Sequence, residues 1–196
     1  KKNIIDNFYK KIRENLNSKE IFYKNYDEEY SYQDLKIYCL KLFNIFSFLK
    51  NKKNKICIIS EKSFELYASS IGTVLSNNTW IPISQTSPLE RIFEMIQILK
   101  PDLFILDNIN TLKMLRLKNF LKKNKIDVLL FNEIRQAKPI KKFPKIKINK
   151  KDISMIFFTS GSSGTPKGVK ISQFNYIHSL LQQVDRLYKN KKKLVF

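Results

Sequence analysis

Residues 55–107 read KICIISEKSFELYASSIGTVLSNNTWIPISQTSPLERIFEMIQILKPDLFILD, and this stretch decides the fold. Short apolar runs at 55–60, 79–84 and 102–107 are separated by longer segments whose apolar residues recur at helical spacing. Apolar runs of this length that alternate with helices are typical of parallel strands covered on both faces. The stretch therefore predicts an α/β fold, a layered and largely parallel sheet with flanking helices.

The same alternation extends to both sides of this stretch. It predicts a helix at 4–16, a hairpin at 21–32, a helix that Ser31 caps, a helix at 111–123, and strands at 127–132 and 154–158. Within the stretch, Ser63 is the predicted cap of one helix. Ser87 is the predicted cap of the next helix, with Pro88 at its first position and Glu90 completing a capping box.

A basic segment at about 133–152 follows the predicted strand at 127–132. Its central part, KPIKKFPK at 138–145, predicts an exposed Pro/Lys linker. Elsewhere, Phe43, Phe46 and Phe48 are interpreted as core packing rather than as a platform for stacking nucleic-acid bases. Cys39 and Cys57 have no metal-ligand spacing and lie on apolar faces, so both are predicted to be reduced core residues.

The charge of the chain is strongly positive. Lys and Arg number 37 against 17 acidic residues, a net charge of +20, which raises the question of nucleic-acid binding. Lysines outnumber arginines 32 to 5, however, and sequence-specific readers favour the planar fork of Arg. The excess lysine is the bias that an AT-rich genome produces, and it favours a solvated surface with no specific nucleic-acid partner.

The hydropathy pattern bears on location and order. The apolar runs are far shorter than a membrane span, and residues 1–6 lack a hydrophobic signal core, which predicts a cytoplasmic protein. Apolar residues make up 43% of the chain, which excludes global disorder.

The segment at 159–168, TSGSSGTPKG, carries the chemistry, because three of the four glycines of the chain lie in it. Glycine lets a ligand approach the main chain closely, and successive amides in such a turn form a concave anion site. Lys167, stiffened by Pro166, supplies a point charge that phosphates attract. We therefore predict a phosphate-binding loop at the end of a parallel strand. The loop is not a Walker A motif, since Lys167 follows proline and no GK[ST] occurs.

Residues 157–169, FFTSGSSGTPKGV, resemble the signature loop of the adenylate-forming (AMP-binding) enzymes. Upstream, the resemblance continues in YSYQDL at 30–35, in SFEL, IGTVL and WIPI between 63 and 83, and in PLERI and KPDL between 88 and 103. It covers nearly all of residues 1–196. The order and spacing of these blocks are most similar to those of amino-acid adenylation domains and D-alanine–carrier-protein ligases.

This resemblance implies a fold and an activity. The chain 1–196 is expected to be the incomplete N-terminal part of an adenylation domain, inactive by itself, in a longer ligase. That enzyme is expected to use ATP and Mg²⁺ to activate a carboxylic acid, an amino acid in the first instance, as an acyl adenylate. The acyl group is then expected to pass to the phosphopantetheine thiol of a carrier protein or to coenzyme A.

The resemblance also implies roles for residues of the loop. Lys167 is the expected catalytic residue, and Mg²⁺ is expected to be held with residues outside the chain, so no metal ligand is assigned within it. The residues expected to hold the ATP phosphates are Thr159, Ser160, Gly161, Ser162, Ser163, Gly164 and Lys167. Two alternatives stay open: an acyl-CoA synthetase of the same superfamily, and a non-catalytic basic module that binds nucleotides or nucleic acid.

Several positions depart from the family pattern. Ser76-Asn77-Asn78 stands where relatives carry AGG, Ser84 replaces an aspartate, and Gln173 replaces a histidine that is common after the loop. The single histidine, His178, lies in a helical stretch and is interpreted as structural rather than as a general base. Residues 194–196 are predicted to begin a further strand.

Overall fold

The computed structural model of the chain describes residues 4–49, 51, 53–160 and 166–188. Helices and strands alternate along most of it, as predicted. In chain order the elements are α1 (Ile4–Asn15), β1 (Ile21–Lys24), β2 (Glu29–Ser31), α2 (Tyr32–Phe46), β3 (Lys55–Ile59), α3 (Phe64–Leu75), β4 (Thr79–Ile83), α4 (Leu89–Leu99), β5 (Leu103–Leu106), α5 (Leu112–Lys123), β6 (Asp127–Leu130), α6 (Phe131–Gln136), β7 (Ile153–Ser160), β8 (Pro166–Ser172) and α7 (Gln173–Tyr188).

Six strands form one sheet in the order β6-β5-β3-β4-β7-β8, and β1 and β2 form the separate hairpin. The first five strands of that order pair in parallel, and β8 runs antiparallel to β7. The prediction of a layered, largely parallel α/β fold is confirmed. Because parallel strands end at the same side of a sheet, the residues after β3, β4, β5, β6 and β7 share one edge, which we call the carboxyl edge.

Both faces of the sheet are covered, which explains the unbroken apolar strands. Ile56 and Ile58 belong to a core formed with helices α1, α2, α3 and α6. Cys57 and Ile59, which alternate with them along β3, belong to a second core formed with α4 and α5. This alternation of side chains places α4 and α5 on one face of the sheet and α1, α2, α3 and α6 on the other.

Two of the three predicted helix caps are confirmed. Ser31 Oγ accepts the backbone N–H of Asp34, and Ser63 Oγ caps α3 in the same way at Leu66. The prediction for Ser87 is wrong, because α4 begins at Leu89 with Pro88 in the cap position and no side-chain cap. The backbone N–H of Ser87 instead closes a turn onto the carbonyl of Ser84, so the chain enters the helix one residue later.

The predicted strand at 127–132 ends early, at Leu130. A short helix, α6, follows at once and occupies the start of the segment that was predicted to be a linker. Phe131 and Ile134 are three residues apart and both buried, and Glu133 accepts the backbone N–H of Leu130 at 2.6 Å. Burial of these two apolar side chains on one face favours a helical turn over a longer strand.

The Pro/Lys segment at 138–145 has no helix or strand and is mostly exposed, but two of its residues contact the protein. The backbone N–H of Ile140 donates to the carbonyl of Leu40, and the Phe143 ring lies edge-on to Phe43 with centroids 5.2 Å apart. Lysines face solvent between these apolar contacts. The predicted exposure is found at the six lysines and prolines of the segment, whereas Ile140 and Phe143 are half-buried because they pack on α2.

Both cysteines are free and buried, as predicted. Burial raises the pKa of each thiol, so both stay protonated at neutral pH. The interpretation of Phe43 and Phe46 as core residues is confirmed, but Phe48 is 81% exposed and lies after the end of α2.

The edge of the sheet opposite the carboxyl edge, which we call the amino edge, is closed by polar side chains. Asn78 Oδ1 accepts the backbone and side-chain N–H groups of Asn54 at 2.8 and 3.0 Å. Asp152 accepts Lys53 Nζ at 2.5 Å and Asn77 Nδ2 at 3.0 Å. Asn77 also adopts a left-handed backbone, with φ of 60°. This explains the departure from the family's AGG pattern, because Asn is among the residues that best replace glycine at positive φ.

Candidate functional site

The glycine-rich loop joins the ends of β7 and β8 at the carboxyl edge of the sheet. The two strands pair down to the register partners Ser160 and Pro166, so the loop is anchored on both sides. Gly161, Ser162, Ser163 and Gly164, four of the predicted phosphate-binding residues, lie outside the described residues, as do residues 194–196 with their predicted strand. The structure therefore describes the frame of the loop through Thr159 and Lys167.

Thr159 and Lys167 are brought together by the β7–β8 register. They are direct cross-strand partners, which places their side chains on the same face of the sheet. Thr159 Oγ1 donates to the backbone carbonyl of Lys167 over 3.5 Å, a long hydrogen bond, and both residues are exposed. Among the described residues Lys167 forms no ion pair, which leaves its ammonium available to an anion.

Gly168 sets the face from which Lys167 extends. A Cβ at Gly168 would lie 3.2 Å from Ile156 Cγ2, tighter than ordinary packing, and 3.6 Å from Phe158 Cζ, an ordinary contact. Ile156 and Phe158 face the core under α4 and α5. Because side chains alternate along a strand, Lys167 extends from the opposite face, above the half-exposed pair Phe157 and Val169.

Charged residues occupy another part of the carboxyl edge. Glu65, near the start of α3, is 4% exposed and accepts Arg135 Nε at 2.8 Å. Burial, together with the negative charge of Glu65, raises the pKa of Asp107 at the end of β5. Glu65 is therefore committed to an ion pair with the half-exposed Arg135, and removal of Arg135 would leave the buried carboxylate of Glu65 without its partner.

The sequence analysis assigned no role to one residue that lies beside the loop. Arg91, in the first turn of α4, directs Nη2 at the backbone carbonyl of Thr159, 3.5 Å away. Its block, PLERI, was noted only as part of the family resemblance. The signal that could have drawn attention to Arg91 is a basic residue in the first turn of a helix, where acidic residues are favoured.

The remaining candidates lie away from the loop. His178 is exposed on α7 and stacks on Phe174, with ring centroids 5.8 Å apart. Gln173 is fully buried at the amino edge, and its Oε1 accepts the Tyr9 hydroxyl at 2.7 Å. Burial raises the pKa of Tyr9, so this hydroxyl remains a donor. Gln173 thus anchors α1 to the sheet.

Two searches of the described part of the chain bear on metals and membranes. No group of three or more His, Cys, Asp or Glu side chains in it is arranged to hold a metal ion. None of its helices has both the length and the apolar character that a membrane span requires.

The fold is of the α/β class, with a glycine-rich loop at the carboxyl edge of a mostly parallel sheet. The family model for AMP-binding enzymes matches residues 9–195. The chain belongs to the AMP-binding enzyme family.

Curated relatives match the chain at low identity. The D-alanine–D-alanyl carrier protein ligase of Listeria monocytogenes is 27% identical over 140 residues, which are 69% of this chain and 26% of the relative. A ligase of the same name from Streptococcus pyogenes is 29% identical over 130 residues, or 64% of this chain and 23% of the relative. The chain thus spans about a quarter of the length of these relatives.

Solved structures share the fold. ATP-bound MatB from Rhodopseudomonas palustris superposes with a TM-score of 0.77 at 19% identity, covering 91% of this chain and 37% of that protein. McyG A-PCP complexed with phenylalanyl-adenylate gives a TM-score of 0.74 at 21% identity, covering 94% of this chain and 30% of that one. At these identities the likeness shows the fold alone, and it confirms the predicted α/β fold.

Proposed function

We propose that this chain forms the phosphate-binding part of an ATP-dependent adenylate-forming ligase. The observation that carries the proposal is the pairing of Lys167 with Thr159 on the strands that bracket the glycine-rich loop. An unpaired ammonium beside a loop of closely spaced glycines has the chemistry that polyphosphate binding requires. Membership of the AMP-binding family supports ATP as the donor of the adenylyl group.

In the proposed reaction a carboxylate oxygen of the acid attacks the α-phosphorus of ATP. The bond from that phosphorus to the bridging oxygen of the β-phosphate breaks, and pyrophosphate leaves with the bonding electron pair. Lys167 and the loop, including Thr159, Ser160, Ser163 and Gly164, hold the β- and γ-phosphates and stabilise the charge that develops there. Mg²⁺ would accompany ATP, and we assign no ligand for it in this chain.

The proposed substrate is an amino acid, and the proposed acceptor is the phosphopantetheine thiol of a carrier protein. The names of the curated relatives support both choices, because they are ligases of D-alanine and a carrier protein. An acyl-CoA synthetase would use the same loop with coenzyme A as the acceptor. The activity belongs to the whole enzyme, since the chain spans about a quarter of those relatives.

The test is acid-dependent exchange of labelled pyrophosphate into ATP by the full-length protein that contains this chain. A panel of D- and L-amino acids and fatty acids is assayed with wild-type protein, and retention on nucleic acid is measured at physiological salt. Exchange with an amino acid and no retention are the expected results. Retention without exchange would favour the basic-module alternative, because phosphate-backbone binding by lysines is salt-sensitive but needs no acid.

A further inference from the structure

A cavity of about 370 Å³ lies between helix α1 and the segment at 145–148. Lys10, Arg13 and Glu14 line it from α1, and their spacing of three and four residues places them on one face of that helix. Lys145 lines the cavity from the other segment. Because Lys10, Glu14 and Lys145 are exposed, the cavity borders solvent. Neither strand residue of the phosphate site, Thr159 or Lys167, is among the described residues that line it.

The guanidinium of Arg13 is held over an aromatic ring beside this cavity. Its Cζ lies 5.6 Å from the centroid of the Phe143 ring, a cation–π contact. Phe143 itself packs edge-on against Phe43 of α2. Arg13 is half-buried, and burial lowers the pKa of its guanidinium, which nevertheless keeps its charge at neutral pH. A positive charge is therefore positioned at the cavity by packing.

Two hydrogen-bond donors of this guanidinium lack an acceptor. Nε and Nη2 of Arg13 are both buried, and neither donates to any of the described residues. These nitrogens form one edge of the guanidinium, whose two parallel N–H groups match two oxygens of a single oxyanion. Buried donors without an acceptor cost free energy. A turn of the Arg13 side chain toward an anion in the cavity would relieve that cost.

The charges that line the cavity favour an anion with two negative charges. Lys10, Arg13 and Lys145 are cations and Glu14 is a carboxylate, which gives these lining residues a net charge of +2. Glu14 Oε1 lies 3.7 Å from Lys10 Nζ, whereas Arg13 and Lys145 form no ion pair with any described residue. A phosphate group carries about 1.5 to 2 negative charges at neutral pH, and a carboxylate carries only one.

We propose that this cavity binds a phosphate group, which accepts two hydrogen bonds from the Nε–Nη2 edge of Arg13 and is neutralised by Lys10 and Lys145. The occupant is inorganic phosphate or the phosphate of a monoester. Its oxygens join α1 to the segment at 145–148. The proposal is independent of the function proposed above, because it uses no residue of the glycine-rich loop.

The test measures ligand affinity by isothermal titration calorimetry at constant ionic strength. The parent protein is the full-length chain with Lys167→Ala, which weakens any phosphate binding at the glycine-rich loop. Inorganic phosphate and methyl phosphate should both bind, and acetate should bind at least about tenfold more weakly, because it has a single charge. The phosphate that binds more tightly identifies the source of the group. Acetate that binds as tightly as both phosphates would overturn the proposal.

Variants in the parent protein then assign the binding to this cavity. Arg13→Met keeps the aliphatic part of the side chain and should weaken phosphate binding about tenfold, the scale of lost hydrogen bonds to a charged group. Lys145→Met should weaken it about threefold, since one exposed charge is lost. Lys11→Met is the matched control, because Lys11 is an exposed lysine of α1 outside the cavity lining, and it should change nothing.

Equal phosphate affinity in Arg13→Met and the parent would overturn the proposal. An equal loss in Lys11→Met would also overturn it, because the effect would then come from general charge. Should Arg13→Met not fold, Arg13→Lys replaces it, since lysine keeps the charge but cannot donate from two parallel N–H groups. Arg13→Lys should weaken binding about fivefold, and unchanged affinity would count against the proposal in the same way.

Amide hydrogen exchange checks where the phosphate binds. Saturating phosphate should slow exchange in peptides covering 8–17 and 143–148, because it joins the two segments and suppresses their local opening. Peptides from α5 should be unchanged. Protection that is confined to other parts of the protein would show that phosphate occupies a different site, and the proposal would fail.

Discussion

The two edges of the sheet differ in how their polar residues are used. At the amino edge, the side chains of Asn54, Asn78 and Asp152 form hydrogen bonds of 2.5–3.0 Å within the fold, and these residues are mostly buried. At the carboxyl edge, Thr159 makes two long contacts of 3.5 Å and Lys167 is exposed. Most polar side chains at the amino edge are buried and paired within the fold, although Asn54 Oδ1, Asn77 Oδ1 and Gln173 Nε2 are buried without a partner among the described residues. The exposed polar groups of the carboxyl edge contribute little to folding and are available to a ligand. The comparison predicts that substitutions at the amino edge affect stability and that those at the carboxyl edge affect the proposed reaction.

The largest expected effect comes from breaking the carboxyl edge. Lys167→Ala should slow pyrophosphate exchange by roughly 10- to 1,000-fold, because a preorganised charge beside the leaving group is lost. The melting temperature should stay unchanged, since Lys167 is exposed and forms no ion pair among the described residues. Pyrophosphate exchange and thermal melting of the full-length protein measure the two quantities.

Lys170→Ala is the matched control for Lys167→Ala. Lys170 is an exposed lysine of the same strand, and its side chain lies on the opposite face. The substitution therefore removes the same charge without a change at the site. Exchange at the wild-type rate in Lys167→Ala, or an equal loss in Lys170→Ala, would contradict the assignment of Lys167.

A smaller effect, on stability rather than rate, is expected at the amino edge. Asp152→Ala should lower the free energy of unfolding by about 2 kcal/mol, because a carboxylate that accepts bonds from Lys53, Asn77 and the Asn149 backbone is removed. Asp127→Ala, at an exposed position at the amino end of β6, is the control and should change little. Chemical denaturation of the three proteins gives the comparison.

The effect of Asp152 should depend on pH in a definite direction. Burial raises the pKa of Asp152, but the hydrogen bonds from Lys53, Asn149 and Asn77 outweigh it and hold the pKa below its usual value of 3.8. A carboxyl with a lowered folded pKa stabilises the fold above its unfolded pKa and loses that contribution as pH falls through the folded value. The difference between wild type and Asp152→Ala should therefore shrink below about pH 4. A difference that grows on acidification would show that Asp152 does not act as a carboxylate.

The smallest expected effect is on stability, at the contact of α1 with the sheet. Tyr9→Phe should lower the free energy of unfolding by about 1 kcal/mol, because the buried Oε1 of Gln173 loses its donor. Pyrophosphate exchange should not change. The double variant Tyr9→Phe with Gln173→Leu should be less destabilised than the sum of the two single variants, and strict additivity would argue against the bond.

Local patterns predicted the elements of this fold well because the signals lie within each segment. The apolar runs of β3 and β5 and the caps Ser31 and Ser63 depend on neighbours a few residues away. The helix α6 was missed because six residues are too few to show a helical period. Docking of the 138–145 segment was missed because Ile140 and Phe143 are isolated among lysines, and only tertiary contacts show that they pack.

The candidate site also has features that a local sequence pattern predicts and one that it does not. The glycine-rich loop and Lys167 were predicted from a contiguous motif, and the register of Thr159 with Lys167 follows from strands joined by a short loop. The approach of Arg91 to Thr159 joins residues 68 positions apart, which no local pattern encodes. The catalytic role of Lys167 stays a prediction, as do the roles in phosphate binding of all seven residues: Thr159, Ser160, Gly161, Ser162, Ser163, Gly164 and Lys167.

The burial of Cys39 and Cys57 has a consequence for the proposed reaction, which would make a reactive acyl group. An acyl adenylate is an electrophile, and a thiolate on the protein surface would compete with the intended acceptor for it. Both thiols of this chain are shielded and protonated, so neither can capture the activated acid. The chain thereby contributes no nucleophilic sulfur of its own, and a cysteine introduced at an exposed position would be its single site for thiol-directed labelling.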